Sequence, residues 1–224
     1  MKRAAIFDLD GTLVDSMWVW DFLMIDFLKR YGLDAPPHVR KEVTHMSLVQ
    51  SSVYVQQYFR LPMTAEEILQ EWRDMVYTAY AEKIYLKNGA KAYLERLKEE
   101  GVKIGLATSC DSTLCEACLI NNRIKPYFDA ITYADEVGVG KKSPDIYIEC
   151  LKRLDCAPQD AVLFEDILTA LRTGKSIGMK TVAVEDARAA AERDQLMNEA
   201  DWYIRDFEEL LRLPKQPFWE TECI

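Results

Sequence analysis

From residue 102 onward, short apolar runs alternate with amphipathic stretches of helical length. Val102–Thr108, Ala130–Tyr133, Ala161–Phe164 and Thr181–Val184 are the apolar runs, and Trp202–Ile204 adds a shorter one. Continuous apolar runs of roughly four to eight residues suit strands covered on both faces. Between them, Asp111–Asn122, Pro144–Leu154 and Leu168–Ile177 read as helices, the second opened by a proline in its first turn and the third stopped by Gly178. Ala4–Phe7 is one more strand, at the start of the chain. Strands separated by helices predict an α/β fold with a doubly wound parallel sheet. In such a sheet a ligand sits beyond the carboxyl ends of the strands.

Residues 16–84 break this rhythm. No convincing strand occurs there, and aromatic and aliphatic residues recur at helical spacing. Thr64 and Glu67 have capping-box spacing, and Ile68, Trp72, Met75, Val76 and Ala79 continue one helical face. Pro36-Pro37 and Leu61-Pro62 separate the helices. The tryptophans and methionines read as core. The reading is therefore two domains, a core of 1–15 and 85–224 and an all-helical cap of 16–84, inserted where it would hang over the strand ends.

Composition narrows the partners. The chain has 224 residues, 49% of them hydrophobic and 29% charged, which suits a sizeable buried core. A net charge of −9 without a long basic run argues against nucleic acid or an anionic membrane as partner. No stretch has the length of a membrane span, and Asp8 and Asp10 interrupt the apolar run that follows Met1-Lys2-Arg3, so a cytoplasmic location is the expectation. A monomer is expected, with oligomeric state left open. Cys110, Cys115 and Cys118 have the C-x4-C-x2-C spacing of one iron–sulfur class, but no typical fourth ligand accompanies them among Cys150, Cys156 and Cys223. Free thiols are expected.

The chemistry starts at Asp8 and Asp10. Strand periodicity puts both carboxylates on one side of the first strand's end, just before Gly11 and Thr12. Two acids so close repel each other unless a cation sits between them or one keeps its proton. Three more polar signals fall at predicted strand ends: Thr108-Ser109, Lys141 after Gly138-Val139-Gly140, and Glu165-Asp166. Each alone is a common helix cap or solvated pair. Their recurrence at successive strand ends of one sheet points to a single site.

Phe7-Asp8-Leu9-Asp10-Gly11-Thr12, followed in order by these three motifs, resembles the haloacid dehalogenase superfamily. The likeness covers residues 4–184 and extends to a Rossmann-like core with a helical cap inserted after the first motif. Ser143-Pro144-Asp145-Ile146-Tyr147 and Phe164-Glu165-Asp166 are similar to its beta-phosphoglucomutase-like branch. The resemblance implies a magnesium-dependent phosphatase acting on a small phosphorylated metabolite. Asp8 would be nucleophile and metal ligand, and Asp10 acid and base with its main chain on the metal. Asp166 would be a further ligand with Glu165 nearby, while Thr108, Ser109 and Lys141 would bind the phosphoryl group. Lys142 stands where this branch commonly has proline and is the alternative to Lys141. Ile167 replaces a small polar residue, and Asn88 precedes Gly89 where proline is common.

A sugar phosphomutase would need basic residues in the cap loop, yet 43–59 contains no Lys or Arg, and Trp20 stands where the mutase pattern has histidine. Met17, Trp18 and Trp20 fit either an apolar wall near the entrance or packing between cap and core. A phosphonate-cleaving site would need a Schiff-base lysine such as Lys41. A nucleotide P-loop fails because Asp135 and Lys142 occupy positions that need glycine and Ser/Thr. His38 and His45 both lie in the cap, which disfavours a Ser-His-Asp hydrolase. A catalytically silent binding module is the remaining alternative.

Overall fold

The structure, a computed structural model, describes residues 2–43, 46, 48–138, 140–215, 218 and 219. Met1, His45, Val139, Cys223, the side chain of Lys41 and most of the tail beyond 215 lie outside this set. The elements run β1 (Ala4–Phe7), α1 (Trp18–Arg30), α2 (Pro37–Val43), α3 (Leu48–Phe59), α4 (Ala65–Glu82), α5 (Ala90–Glu99), β2 (Lys103–Thr108), α6 (Ser112–Asn121), β3 (Ala130–Tyr133) and α7 (Ala134–Val137). They continue with α8 (Asp145–Leu154), β4 (Ala161–Glu165), α9 (Leu168–Ser176), β5 (Lys180–Val184), α10 (Arg193–Glu199), β6 (Trp202–Ile204) and α11 (Glu208–Leu211). Two compact units emerge, Met1–Ser16 with Ile84–Ile224, and Met17–Lys83. No helix among the described residues is long and apolar enough to cross a membrane.

The first unit is built on a six-stranded sheet in the order β3-β2-β1-β4-β5-β6, with every neighbouring pair parallel. Chain order reverses at β1, so β2 and β4 flank it and all three strand ends face one crevice, the usual ligand position in a doubly wound sheet. Ala4–Phe7 is wholly buried because helices cover both faces. Ile6 and Leu163 join the cluster beneath α8, with Ile146, Tyr147 and Cys150. The next residues point the other way: Phe7 stacks on Phe164 with ring centroids 4.4 Å apart, and Tyr93 and Phe207 close around them. Gly105 on β2 permits the close approach of α8, since a Cβ there would lie 2.6 Å from Cys150 Sγ.

The second unit packs α1 and α3 against α4. Thr64 and Glu67 form the capping box: the Glu67 amide donates to Thr64 Oγ1 at 3.2 Å, and the Thr64 amide donates to Glu67 Oε2 at 2.7 Å. Ile68, Trp72, Val76 and Ala79 are buried on one face of α4, and Trp72 meets Phe27 of α1 edge-on at 5.7 Å. Met75 instead lines a cavity of about 320 Å³ between α1 and α4, with Trp18 and Phe22. His38 is exposed, with Nε2 2.9 Å from the Tyr58 hydroxyl.

Two helices start one residue later than the sequence pattern predicts, because each is preceded by a cap residue. Asp111 is the N-cap of α6, its carboxylate accepting from the Thr113 and Leu114 amides, and Pro144 is the N-cap of α8.

Candidate active site

Register explains why the acids meet. Phe7 pairs with Phe164, so Asp8 and Glu165 follow side by side on adjacent parallel strands. Alternation turns both toward the α8 face. Asp166 follows at once, and all three are buried. Their carboxylate oxygens lie within 4.8 Å of one another. Three acids in so small a volume repel strongly unless cations stand among them.

One cation among the described residues is Lys141. Its ammonium is bonded to Asp8 Oδ1 and lies 2.6 Å from Glu165 Oε1, with the side chain only 11% exposed. Lys142 is exposed, so Lys141 is the lysine brought to the strand ends. Both oxygens of Glu165 are engaged. Oε1 accepts from Lys141 and, at 3.3 Å, from the Tyr147 hydroxyl; Oε2 accepts from the Asp166 and Ile167 amides at 3.1 and 3.3 Å. That set of donors makes Glu165 the anchor that aims Lys141 at Asp8.

One lysine does not balance the cluster. Burial pushes the Asp8 carboxyl up to about 7, with Lys141 pulling it down and Glu165 and Asp10 adding to the rise. Burial, then repulsion from Glu165 and Asp8, pushes Asp166 up to about 8. Lys141 in turn is held above the usual lysine value by Asp8 and Glu165, which outweigh its own burial. A divalent cation would remove the deficit, and an all-oxygen donor set suits magnesium. The residues present therefore fit that ion.

Beyond β1 the chain makes a tight turn. The Gly11 amide donates to Val14 O at 3.0 Å, and the Leu13 and Val14 amides donate to Leu9 O. Gly11 has φ of +80°, and a Cβ there would lie 2.4 Å from Asp166 Oδ2, so both conformation and space require glycine. Thr12 Oγ1 donates to Asp166 Oδ1 at 3.1 Å, and buried Ser16 donates to Asp10 Oδ1 at 2.6 Å. Thr108 is buried at the end of β2, its hydroxyl oxygen accepting from the Cys110 amide at 3.0 Å, while Ser109 is exposed.

Thus Lys141 touches Asp8 and Glu165, Asp166 completes the acidic cluster with both, and Asp10 and Thr108 end the adjoining segments. The sequence places Thr12 and Tyr147 in motifs but assigns neither a role, and it assigns none to Ser16. Tyr147 lies on the apolar face of α8, where its pattern is that of core; Thr12 closes the first motif and Ser16 follows four residues later, a nearness that is the one signal for their hydroxyls. The cysteines form no metal group among the described residues. Burial pushes the Cys115 and Cys118 thiols to about 12, the wrong direction for a thiolate ligand.

A family model described as haloacid dehalogenase-like hydrolase matches residues 5–184. Hexitol phosphatase B of Escherichia coli K12 is 26% identical over 184 residues, spanning 81% of this chain and 82% of that protein. The bifunctional riboflavin kinase/FMN phosphatase of Arabidopsis thaliana is 29% identical over 185 residues, 82% of this chain but 48% of its own length. Among solved structures, CbbY from Rhodobacter sphaeroides in complex with phosphate superposes with a TM-score of 0.72 at 24% identity, covering 94% of this chain and 96% of that one.

Proposed function

The chain belongs to the haloacid dehalogenase-like hydrolases, and on that premise we propose that it is a magnesium-dependent phosphatase of small phosphomonoesters, sugar or polyol phosphates foremost. The observation that carries this reading is the buried cluster of Asp8, Glu165 and Asp166 at the carboxyl ends of β1 and β4, with Lys141 bonded to the first two.

In the proposed reaction an Asp8 carboxylate oxygen forms a bond to phosphorus as the ester oxygen departs. Asp10 gives its proton to that leaving oxygen. It then takes a proton from water, which attacks the aspartyl-phosphate, releases inorganic phosphate and restores Asp8. Thr108 and Lys141 hydrogen-bond the non-bridging oxygens, where charge builds in the transition state. Magnesium would be held by the Asp8 and Asp166 carboxylates and the Asp10 main-chain carbonyl, beside Glu165, and supplies charge that offsets repulsion between an anionic nucleophile and an anionic ester.

Two sequence features favour hydrolysis over phosphomutase chemistry: 43–59 lacks Lys and Arg, and Trp20 stands in place of histidine. The decisive experiment is magnesium-dependent hydrolysis of p-nitrophenyl phosphate, with a panel of sugar and polyol phosphates alongside. Activity lost in Asp8→Asn is the expected result. No turnover of any phosphomonoester by the wild-type protein sinks the proposal.

A further inference from the structure

Outside the acidic cluster, one buried ammonium joins three segments of the first unit. Lys87 lies just before α5, its side chain 10% exposed. Its Nζ donates to the Gly11 carbonyl, to the Glu185 carbonyl at 2.6 Å and to Asp186 Oδ2 at 3.2 Å. An ammonium has three donors, and here each has an acceptor. Asp186 is itself buried, its carboxylate also accepting from the Arg188 amide at 3.0 Å.

The main chain repeats the same link. The Lys87 amide donates to Leu13 O at 2.9 Å, Asp15 donates to Tyr85 O at 3.0 Å, and Val14 bridges Leu86 in antiparallel fashion. Residues 85–87 thus lie along the turn that follows Asp10. The Lys87 side chain fastens the apex of that turn, Gly11, to the exit of β5.

We propose that Lys87 is a positioning residue for the phosphatase reaction, acting through Gly11 to hold the turn that carries the acid/base carboxylate Asp10. The proposal rests on the function inferred above. The physical case is that Asp10 lies on an irregular turn, whose orientation no sheet ladder fixes. Three of its neighbours are tied down: Gly11 by Lys87, Thr12 by Asp166 and Leu13 by the Lys87 amide. Without the ammonium, the Gly11 carbonyl loses its side-chain donor and a buried carboxylate, Asp186, loses its cation. A turn relaxed by about 1 Å is enough to cost on the order of 100-fold in rate when it carries a catalytic group.

The test exploits what Asp10 does. An alkoxide leaving group needs a proton, whereas 2,4-dinitrophenolate leaves without one. Measured as kcat/KM, which reports the first phosphoryl transfer, Lys87→Met is expected to lose about 10- to 100-fold on the alkyl ester glycerol 2-phosphate. On 2,4-dinitrophenyl phosphate the same variant is expected to lose less than about threefold. Lys87→Arg, which keeps charge and donors, is expected to recover part of the alkyl-ester activity. Equal losses on the two esters, or none on either, overturn the proposal. If Lys87→Met does not fold, Asp186→Asn carries the same comparison with a smaller ratio, and equal losses there overturn it too. Asp10→Asn is the control. If it discriminates between the esters while the Lys87 and Asp186 variants do not, this proposal alone fails. If the wild-type protein turns over no phosphomonoester, these two included, the phosphatase reading itself fails.

Discussion

Replacing Asp8 by asparagine is expected to destroy activity yet stabilise the metal-free protein at alkaline pH. In the folded chain the Asp8 carboxyl is raised from 3.8 to about 7, chiefly by burial. Below its ordinary value the acid is protonated in both states and contributes nothing. Between the two values the unfolded chain releases its proton while the folded chain keeps it, so raising the pH costs stability. Above about 7 the penalty is complete. At 1.36 kcal/mol per pH unit the gap amounts to ~4 kcal/mol. Asparagine has nearly the shape of the protonated acid, escapes this cost, and leaves Lys141 its contact with Glu165. In EDTA at about pH 8, Asp8→Asn is therefore expected to unfold about 10 °C higher than wild type, the advantage fading as pH falls toward about 4. Magnesium is expected to raise the wild-type midpoint and the variant's far less. Thermal melts followed by circular dichroism over this pH range, with and without magnesium, check it. A variant less stable than wild type in EDTA at about pH 8, or an advantage that does not shrink on acidification, refutes the argument.

Two further substitutions or treatments probe the same surroundings. Gly11→Ala places a Cβ 2.4 Å from Asp166 Oδ2 at a φ of +80°, and is expected to cost about 2 kcal/mol and to weaken magnesium binding about tenfold. Urea unfolding and titration calorimetry measure the two effects, and stability lost with affinity intact would contradict a displaced carboxylate. Cys115, Cys118 and Cys150 are buried with thiols pushed to about 12. Iodoacetamide labelling read by peptide mapping is expected to spare all three until the chain unfolds; native-state labelling of Cys115 would show that this interior is open.

The sheet was legible because β1, β2, β4 and β5 are buried on both faces along nearly their whole length and announce themselves as apolar runs. The acids were legible because charge at the end of such a run has few structural uses. The helix α5, Ala90–Glu99, has no counterpart in the sequence reading: its large buried residues are only the adjacent Tyr93 and Leu94 and, beyond Glu95 and Arg96, Leu97, and it opens at Gly89 with no side-chain cap. Lys87 was illegible for a different reason. A lysine before a helix reads as solvated surface, and what buries it is contact with Gly11 and Glu185, residues 76 and 98 positions away. Tyr147 presents the same difficulty: its ring satisfies the core pattern of α8, while its hydroxyl reaches a carboxylate on another strand. Pattern along the chain reveals periodic burial and local capping; pairings across the sheet depend on register, which one sequence does not state.

The backbone bond from Asp15 to Tyr85 has an architectural consequence. Met17–Lys83 leaves and re-enters the first unit through residues a single hydrogen bond apart. Splicing anything between two such points closes a loop whose entropic cost grows only slowly with its length. The strand order and the register of Asp8 against Glu165 are set by strands that all belong to the first unit. The first unit is thus a socket: the bonds that join residues 13–15 to 85–87 are all made within it, and they hold the two open ends of the insert side by side whatever length of chain runs between them.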